Sequence, residues 1–199
     1  MTVVMLGAFM PKLGMEPIRR DAIVKATIAE LGAKKSLDVT VSQIAKRAGM
    51  SSALAHHYFG GKDQIFLAAM RRILGDFGAE ARAELKSAPP DQRAQAIIRA
   101  CFAPSCFTPD VIAAWMTFYV LAQTNDDALR LWQIYQARIR SNLIHALRPL
   151  MKDPVEAAEN MIALIDGLYI RAALSAPEEP QLAVTHAMRV LTTLLEAEK

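Results

Sequence analysis

The chain has 199 residues, of which 53% are hydrophobic and 22% charged, and its formal net charge is +3. This length and apolar content suffice for one sizeable core, or for a small domain joined to a larger one, and they exclude a wholly disordered chain. Cys101 and Cys106 have no second cysteine pair, which excludes a zinc knuckle and a secreted disulfide framework and favours a reducing cytoplasm.

The first segment of the chain, MTVVMLGAFMP, is apolar but does not have the features of a signal peptide. No positive charge precedes it and no small-residue cleavage site follows it. We therefore interpret residues 1–15 as a flexible tail; the alternative is an overlong start, with Met10 as the initiator. The longest uncharged run, residues 111–125, is shorter than the roughly 18 residues of a membrane-spanning helix, so we expect no membrane association.

Charge is distributed unevenly along the chain. Residues 1–62 carry a net charge of +5, whereas the remainder carries −2. Because phosphate neutralisation supplies most non-specific affinity for DNA, a basic N-terminal segment favours contact with a polyanion. Many solvated surfaces carry this much charge, so the charge alone does not establish DNA binding and the sequence motifs are needed as evidence.

Apolar residues recur at intervals of three and four through nearly the whole chain, and no alternating run is long enough to indicate a β-strand. The sequence therefore predicts an all-α protein. In chain order, we expect helices over residues 16–31, 41–48, 52–59, 62–85, 91–103, 110–124, 127–148, 154–174 and 181–197.

Two short helices joined by a glycine are predicted within residues 41–60. Thr40 and Gln43 have the spacing of a capping box at the start of the first helix, and Gly49 is suited to end it. Ser51 or Ser52 can cap the second helix. Two helices joined by a tight turn can place the second in the DNA major groove, so this segment predicts a helix-turn-helix.

The segment TVSQIAKRAGMSSALAHHYFGGKDQIF, residues 40–66, resembles the DNA-binding segment of the TetR family of transcriptional repressors. The pattern of that family is met by Thr40, Ile44–Ala45, Ala48–Gly49, Ser51, Tyr58–Phe59 and Lys62. Two positions depart from it, since Ala53 replaces a glycine and His56 replaces a tyrosine that commonly touches phosphate. Alanine favours the helix, whereas a histidine can replace that contact only by donating a ring N–H.

The resemblance implies a division of labour within the helix-turn-helix. The residues that it implies at phosphates are Thr40, Ser51, Tyr58 and Lys62, and those at base edges are Ser52, Ala53, Leu54 and His57. Ser42, Gln43 and His56 complete the expected DNA-binding set. Hydroxyls and a lysine suit phosphates, whereas Leu54 could contact a thymine methyl and His57 a purine acceptor.

Three segments narrow the resemblance to the BetI-type repressors within this family. They are MPKLGMEPIRRDAIVKATIA at residues 10–29, HHYF at 56–59 and ALIDGLYIRAALS at 163–175. BetI-type repressors control the uptake and oxidation of choline to glycine betaine and respond to choline. The resemblance therefore implies a repressor without enzymatic activity or cofactor, which choline as inducer releases from DNA.

The second half of the chain holds candidate residues for such an effector. Trp115, Phe118 and Tyr119 share one helix face. A quaternary ammonium is attracted to aromatic faces by about 0.5 to 2 kcal/mol per ring, and a carboxylate would add to this. The expected ligand-binding residues are Trp115, Tyr119, Trp132, Tyr135, Asp166 and Tyr169. Alternatively, the rings are core, and Asp166 caps a helix, pairs with an arginine such as Arg171, or marks a close helix approach at Gly167.

The last two predicted helices carry more apolar residues than one small body needs to cover. These residues are Met161, Ile162, Ile165, Leu168, Tyr169, Ala172, Leu182, Val184, Ala187, Met188, Leu191, Leu194 and Leu195. They predict a homodimer with its two recognition helices about 34 Å apart on a palindromic operator. Residues 16–61 would then form a three-helix DNA-binding domain, and residues 62–199 an effector-binding and dimerisation domain of about six helices. The effector would displace the helix over 62–85. The two DNA-binding domains of the dimer would then no longer be aligned with their half-sites on the operator.

The sequence leaves three alternatives to this function. The first is a TetR-type regulator that responds to another hydrophobic or cationic ligand. The second is a helical enzyme, but Cys101, Cys106, His145 and His186 form no recognisable catalytic constellation. The third is a protein that coats DNA without operator preference. Zinc is not expected, because the adjacent His56 and His57 lack a third ligand at metal spacing.

Overall fold

The structure is a computed structural model that describes residues 14–36, 38–175 and 180–197. The described residues form helices and no strand, so the all-α prediction is confirmed. The helices are α1 Met15–Lys34, α2 Val41–Arg47, α3 Ser52–Phe59, α4 Lys62–Ser87, α5 Arg93–Cys101, α6 Pro109–Leu121, α7 Asp126–Leu147, α8 Pro154–Leu174 and α9 Pro180–Glu196.

Helix ends follow from side chains that the sequence places there. The backbone N–H of Gln43 donates to Thr40 Oγ1 over 3.2 Å, and the backbone N–H of Thr40 donates to Gln43 Oε1 over 2.9 Å. This is the predicted capping box. Ser51, and not Ser52, caps α3 by accepting from the backbone N–H of Leu54.

Several predicted helix boundaries differ from the structure by one to three residues; α1, for example, ends at Lys34 and not at residue 31, and α6 ends at Leu121 and not at residue 124. α1 begins at Met15, within the predicted tail, and residues 1–13 of that tail lie outside the described residues. The predicted helix over 91–103 is divided into a 3₁₀ turn at Pro90–Gln92 and the shorter α5. The preceding Pro89 keeps the chain extended, which delays the regular helix.

A continuous hydrophobic core runs from α1 to α9 and includes both the short N-terminal helices and the longer ones. α1 packs against α2, α4 and α6, with Ile23 and Leu31 buried. Ile18 is 53% exposed because the buried face of α1 is formed by Ile23, Val24, Ala26, Thr27 and Leu31.

α1 and α6 approach closely at Gly32. A Cβ atom at this position would lie 1.8 Å from Asp110 Oδ1 and 2.7 Å from Asp110 Cα, near the start of α6. Only a residue without a side chain permits this approach.

In the part of the chain that the structure describes, no helix is long and apolar enough to cross a membrane.

Candidate nucleic-acid interface and effector site

The turn between α2 and α3 has the geometry that a helix-turn-helix requires. Gly49 has φ of 69°, a left-handed conformation that glycine adopts without strain. The backbone N–H of Met50 donates to the carbonyl of Ala45 over 2.9 Å, which closes the turn. Ile44, Ala45 and Ala55 are fully buried beneath it. These contacts leave the first turn of α3 on the surface.

The residues expected to contact DNA lie on the surface of this unit, and none of them is buried. Exposed are Thr40, Ser42, Ser51, Ala53, His56 and His57, and partly exposed are Gln43, Ser52, Leu54, Tyr58 and Lys62. The hydroxyls of Thr40 and Ser51 accept backbone hydrogen bonds. Each hydroxyl keeps its own proton, which can be donated to a phosphate.

His56 replaces the family tyrosine and has an internal partner. Its Nδ1 lies 3.1 Å from the carbonyl oxygen of Gly60. Since a carbonyl oxygen only accepts, Nδ1 must carry the proton of this hydrogen bond. Nε2 of the neutral ring is then an acceptor, so only the imidazolium form could donate to a phosphate.

Two arginines of α1 hold the C-terminal end of α3. Arg20 Nη1 donates to the backbone carbonyl of Tyr58, and Arg20 Cζ lies 4.4 Å from the centre of the Phe59 ring. Arg19 Nη1 donates to the Tyr58 hydroxyl over 3.4 Å. The sequence reasoning missed both arginines, because the contact joins residues nearly forty positions apart and no local pattern signals it.

α4 links the helix-turn-helix to the rest of the molecule. Arg72 of α4 donates from Nη1 to Asp21 Oδ1 of α1 over 2.6 Å. Hydrogen bonds from Lys25 and then Arg72 lower the pKa of Asp21 despite partial desolvation. At the start of α4, Asn125 Nδ2 donates to Asp63 Oδ2 over 3.1 Å. The first turn of α4 is therefore tied to the start of α7.

Four of the six expected ligand-binding residues come together in one aromatic cluster. The centre of the Trp115 ring lies 5.6 Å from that of Tyr119, 5.0 Å from that of Tyr135 and 6.2 Å from that of Tyr169. Within the described residues, no ring contact joins Trp132 to this cluster. The cluster joins α6, α7 and α8.

Asp166 lies beside this cluster and is half-buried. It accepts a hydrogen bond from the Tyr119 hydroxyl over 2.9 Å and one from Gln136 Nε2 over 3.4 Å. Burial raises the pKa of Asp166, and burial together with this carboxylate raises the pKa of Tyr119. Gln136 was missed, because a single glutamine on a helix carries no recognisable sequence signal.

The Tyr169 hydroxyl has a different environment from that of Tyr119. It donates to the carbonyl oxygens of Cys101 and Cys106, at 2.6 and 3.1 Å. This hydroxyl stabilises the connection between α5 and α6, so only its ring faces the cluster. Both cysteine thiols are buried, and burial raises the pKa of each, which disfavours the thiolate.

Two large cavities lie among the helices that follow the helix-turn-helix. One, of about 710 Å³, lies between α6 and the C-terminal end of α8. The other, of about 520 Å³, lies between α4 and α7 and is lined in part by Tyr135. Trp115, Tyr119 and Asp166 line neither of these two cavities, because their side chains pack against one another.

The chain matches two family models that together cover both parts of the fold. Residues 23–69 match the model for bacterial regulatory proteins of the tetR family. Residues 90–196 match the model for the C-terminal region of BetI-type transcriptional repressors. The first match contains the helix-turn-helix, and the second contains the aromatic cluster and Asp166.

Related proteins agree with these models. The chain is 51% identical over 170 residues to the HTH-type transcriptional regulator BetI of Brucella suis, covering 84% of this chain and 86% of the relative. It is 48% identical over 172 residues to the BetI regulator of Rhizobium meliloti, covering 84% and 85%.

Solved structures share the fold. A transcriptional regulator from Pseudomonas aeruginosa PAO1 has a TM-score of 0.76 at 25% identity, covering 90% of this chain and 91% of its own. A regulator from Saccharomonospora viridis, solved in complex with choline, has a TM-score of 0.72 at 21% identity, covering 90% and 96%. The chain therefore belongs to the BetI-type branch of the TetR family of DNA-binding transcriptional repressors, a family of regulators and not of enzymes.

Proposed function

We propose that this repressor controls choline uptake and oxidation to glycine betaine, and that choline is the effector that releases it from DNA. The observation that carries this proposal is the environment of Asp166. Its two hydrogen-bond donors, Tyr119 and Gln136, are neutral, so the carboxylate has no cationic partner among the described residues. A ligand with a permanent positive charge would supply that partner.

The neighbouring rings define which cation fits. A quaternary ammonium offers no N–H donor, so it is held by ring faces and by a carboxylate charge, and not by hydrogen bonds. Trp115, Tyr119 and Tyr135 offer such faces beside Asp166. The regulator from Saccharomonospora viridis, which shares the fold, is described in complex with choline, and this supports the assignment.

Binding is coupled to DNA release through helix movement. The rings pack against one another, so a ligand that reaches Asp166 must separate α6 from α7 or α8. α6 also contacts α1 at Gly32, and α4 begins directly after α3. A shift of α6 or α4 would therefore reach the helix-turn-helix, provided that choline prefers the shifted state.

The DNA-binding unit comprises residues 16–61 in this proposal, and the effector and dimerisation unit comprises residues 62–199. Thr40, Ser51 and Tyr58 would fix the position of the unit through phosphates, together with Lys62. The exposed start of α3, with Ala53 and His57, would face base edges. Ser42 and Gln43 would lie beside the phosphate backbone of the DNA. His56 would join them only as an imidazolium.

The test is operator binding with and without choline. The purified full-length protein is titrated onto DNA from upstream of its own gene in an electrophoretic shift assay, with choline or with 3,3-dimethyl-1-butanol. The second compound is the neutral carbon analogue of choline, so it has the same shape without the charge. We expect choline alone to weaken DNA binding and to raise the melting temperature of the free protein.

Two outcomes would contradict the proposal in different ways. Unchanged operator affinity at saturating choline would reject choline as inducer without affecting the family assignment. An equal response to the neutral analogue would reject the role of Asp166 and the rings. The mostly apolar cavity of about 710 Å³ favours one alternative, a hydrophobic effector, and melting-temperature shifts with apolar compounds alone would support it.

A further inference from the structure

A second groove lies between α4 and α7, apart from Asp166. Its volume is about 520 Å³, within the roughly 300–1,000 Å³ typical of small-molecule sites. Its apolar floor includes Leu74, Phe77, Leu131, Ile134, Tyr135 and Ile139. Its charged lining residues are Arg71, Arg82 and Arg138, and no acidic residue lines it. An apolar floor edged only by positive charge suits a ligand of the opposite charge.

These three arginines have no partner in the part of the chain that the structure describes, since none of them takes part in an ion pair or hydrogen bond there. Other arginines near them are paired. Arg72 is next to Arg71 in α4 and contacts two aspartates, and Arg140 of α7 pairs with Glu159. Some arginines elsewhere in the described residues also lack such a partner, among them Arg130 and Arg171, so the distinguishing feature of Arg71, Arg82 and Arg138 is that all three line one groove without an acidic residue.

α4 has two glycines on the side that faces the groove. Gly75 and Gly78 line it and lie within a helix, where glycine is less favourable than alanine. A Cβ atom at Gly75 would meet nothing within 4 Å, and one at Gly78 would lie 3.3 Å from the Arg82 guanidinium. A longer side chain at Gly75 would therefore occupy the groove.

We propose that this groove binds an amphipathic carboxylate, with its aliphatic chain on the apolar floor and its carboxylate held by Arg71, Arg82 and Arg138. Guanidinium groups bind carboxylates through paired hydrogen bonds, which favours this head group. The same charges repel a quaternary ammonium. DNA is an unsuitable occupant, because Arg82 lies twenty residues after the start of α4, about 30 Å along the helix from α3.

The ligand would join α4 to α7 and would act beside the proposed choline site. Tyr135 lines the groove, and its ring centre lies 6.0 Å from that of Phe77 and 5.0 Å from that of Trp115. A ligand in the groove therefore contacts a residue that also contacts the aromatic cluster. This proposal does not depend on choline being the inducer, since the groove contains neither Asp166 nor Trp115.

The experiment titrates the full-length protein with decanoate, decanol and decyltrimethylammonium, below their micelle concentrations, by isothermal calorimetry. We expect decanoate to bind at least about tenfold more tightly than decanol, and the ammonium compound not to bind in the groove. The triple variant R71Q/R82Q/R138Q should weaken decanoate binding about tenfold or more, and Gly75→Leu should abolish it. The control R130Q removes an exposed arginine of α7 that does not line the groove and should change nothing.

Circular dichroism melting of each variant shows that it is folded before binding is compared. Equal binding of decanoate and decanol would overturn the proposal, and so would unchanged decanoate binding in the triple variant or in Gly75→Leu. Sedimentation velocity tests whether a second copy of this chain occupies the groove instead. If the triple variant shifts the monomer–dimer distribution without added ligand, the groove is a contact between two copies of this chain, and the carboxylate site is rejected.

Discussion

At the scale of single residues, Asp166 combines a cost in stability with the binding role proposed for it. The carboxylate is half-buried between neutral donors, and burial raises its pKa. A raised pKa in the folded state means that the folded protein holds this proton more tightly than the unfolded chain. The stability that this group contributes is therefore present at low pH and is lost as the pH rises through its folded pKa.

Replacement of Asp166 by asparagine separates these two effects. We expect Asp166→Asn to melt at the same or a higher temperature than the parent at pH 7, with a difference that shrinks as the pH falls. Choline affinity should fall roughly tenfold, which corresponds to about 1.4 kcal/mol. Differential scanning fluorimetry and calorimetry measure both, with the exposed Glu196→Gln as charge-matched control. A destabilised variant with unchanged choline affinity would show that Asp166 is purely structural.

Substitution of glycine by alanine should have opposite effects on stability at Gly49 and at Gly75, because backbone conformation decides the first and helix propensity the second. Gly49 has φ of 69° with open space around it, so alanine there meets strain and no clash. We expect Gly49→Ala to lower the free energy of unfolding by about 1 kcal/mol. Gly75→Ala within α4 should raise it by about 0.5–1 kcal/mol. Urea unfolding measures both, and a stabilising effect at Gly49 would contradict the left-handed turn.

At the scale of elements, α3 depends on α1 for its position. Arg20 of α1 contacts both the backbone of Tyr58 and the ring of Phe59 at the end of α3. A lysine at this position would keep the charge but lose the planar guanidinium that makes both contacts. Positioning and phosphate contact can therefore be told apart by the salt dependence of DNA binding.

The comparison uses Arg20→Lys and Lys62→Met in operator titrations over a range of salt concentrations. Arg20→Lys should weaken binding about threefold to tenfold without changing the salt slope, because no phosphate contact is lost. Lys62→Met, which removes a proposed phosphate contact, should reduce the slope by about 1. If the slope falls in Arg20→Lys but not in Lys62→Met, the two roles are assigned the wrong way round.

The contact between α1 and α6 joins the DNA-binding helices to the helix that carries Trp115. Because a Cβ at Gly32 would overlap both the side chain and the backbone of Asp110, Gly32→Ala must push these helices apart. We expect a loss of about 1–3 kcal/mol in the free energy of unfolding, the usual cost of overpacking. Gly14→Ala, at the N-cap position before α1, where a Cβ meets nothing within 4 Å, is the control. Equal stability of the two variants in urea would contradict the close approach.

At the scale of the whole molecule, members of this family act on DNA as dimers, and the surface of α8 and α9 is the proposed interface. The structure corrects the composition of that surface. Seven of the residues that the sequence placed in the dimer contact are instead buried within the subunit, namely Met161, Ile162, Ile165, Leu168, Tyr169, Ala187 and Leu191. Large apolar side chains that remain exposed on these helices are Val155, Ile170, Leu174, Leu182 and Val190.

A charge on this surface should prevent association. We expect Ile170→Glu to be monomeric in sedimentation velocity at concentrations where the parent is dimeric, because the interface would bury an unpaired carboxylate. Operator affinity should fall steeply, since a monomer has one DNA-binding domain and contacts only one half-site. Val120→Glu, at a 48% exposed position of α6, is the control and should remain dimeric. A dimeric Ile170→Glu variant would place the interface elsewhere.

The sequence by itself determined the features that depend on local chemistry. Helical periodicity, the capping box of Thr40 and Gln43, and the glycine at position 49 act over a few residues, so they can be read along the chain. The same holds for the motif between residues 40 and 66, whose spacing indicated the family before any packing was known. Even the cluster of Trp115 and Tyr119 followed from positions on one helix face.

Only the tertiary structure decided which distant residues meet. Arg20 at the end of α3, Gln136 beside Asp166, and Gly32 against Asp110 join segments that no periodic pattern connects. The unpartnered arginines between α4 and α7 likewise become a site only when two helices pack side by side. The physical reason is that periodicity specifies which face of a helix is buried, whereas the choice of partner for that face depends on how all the helices pack together.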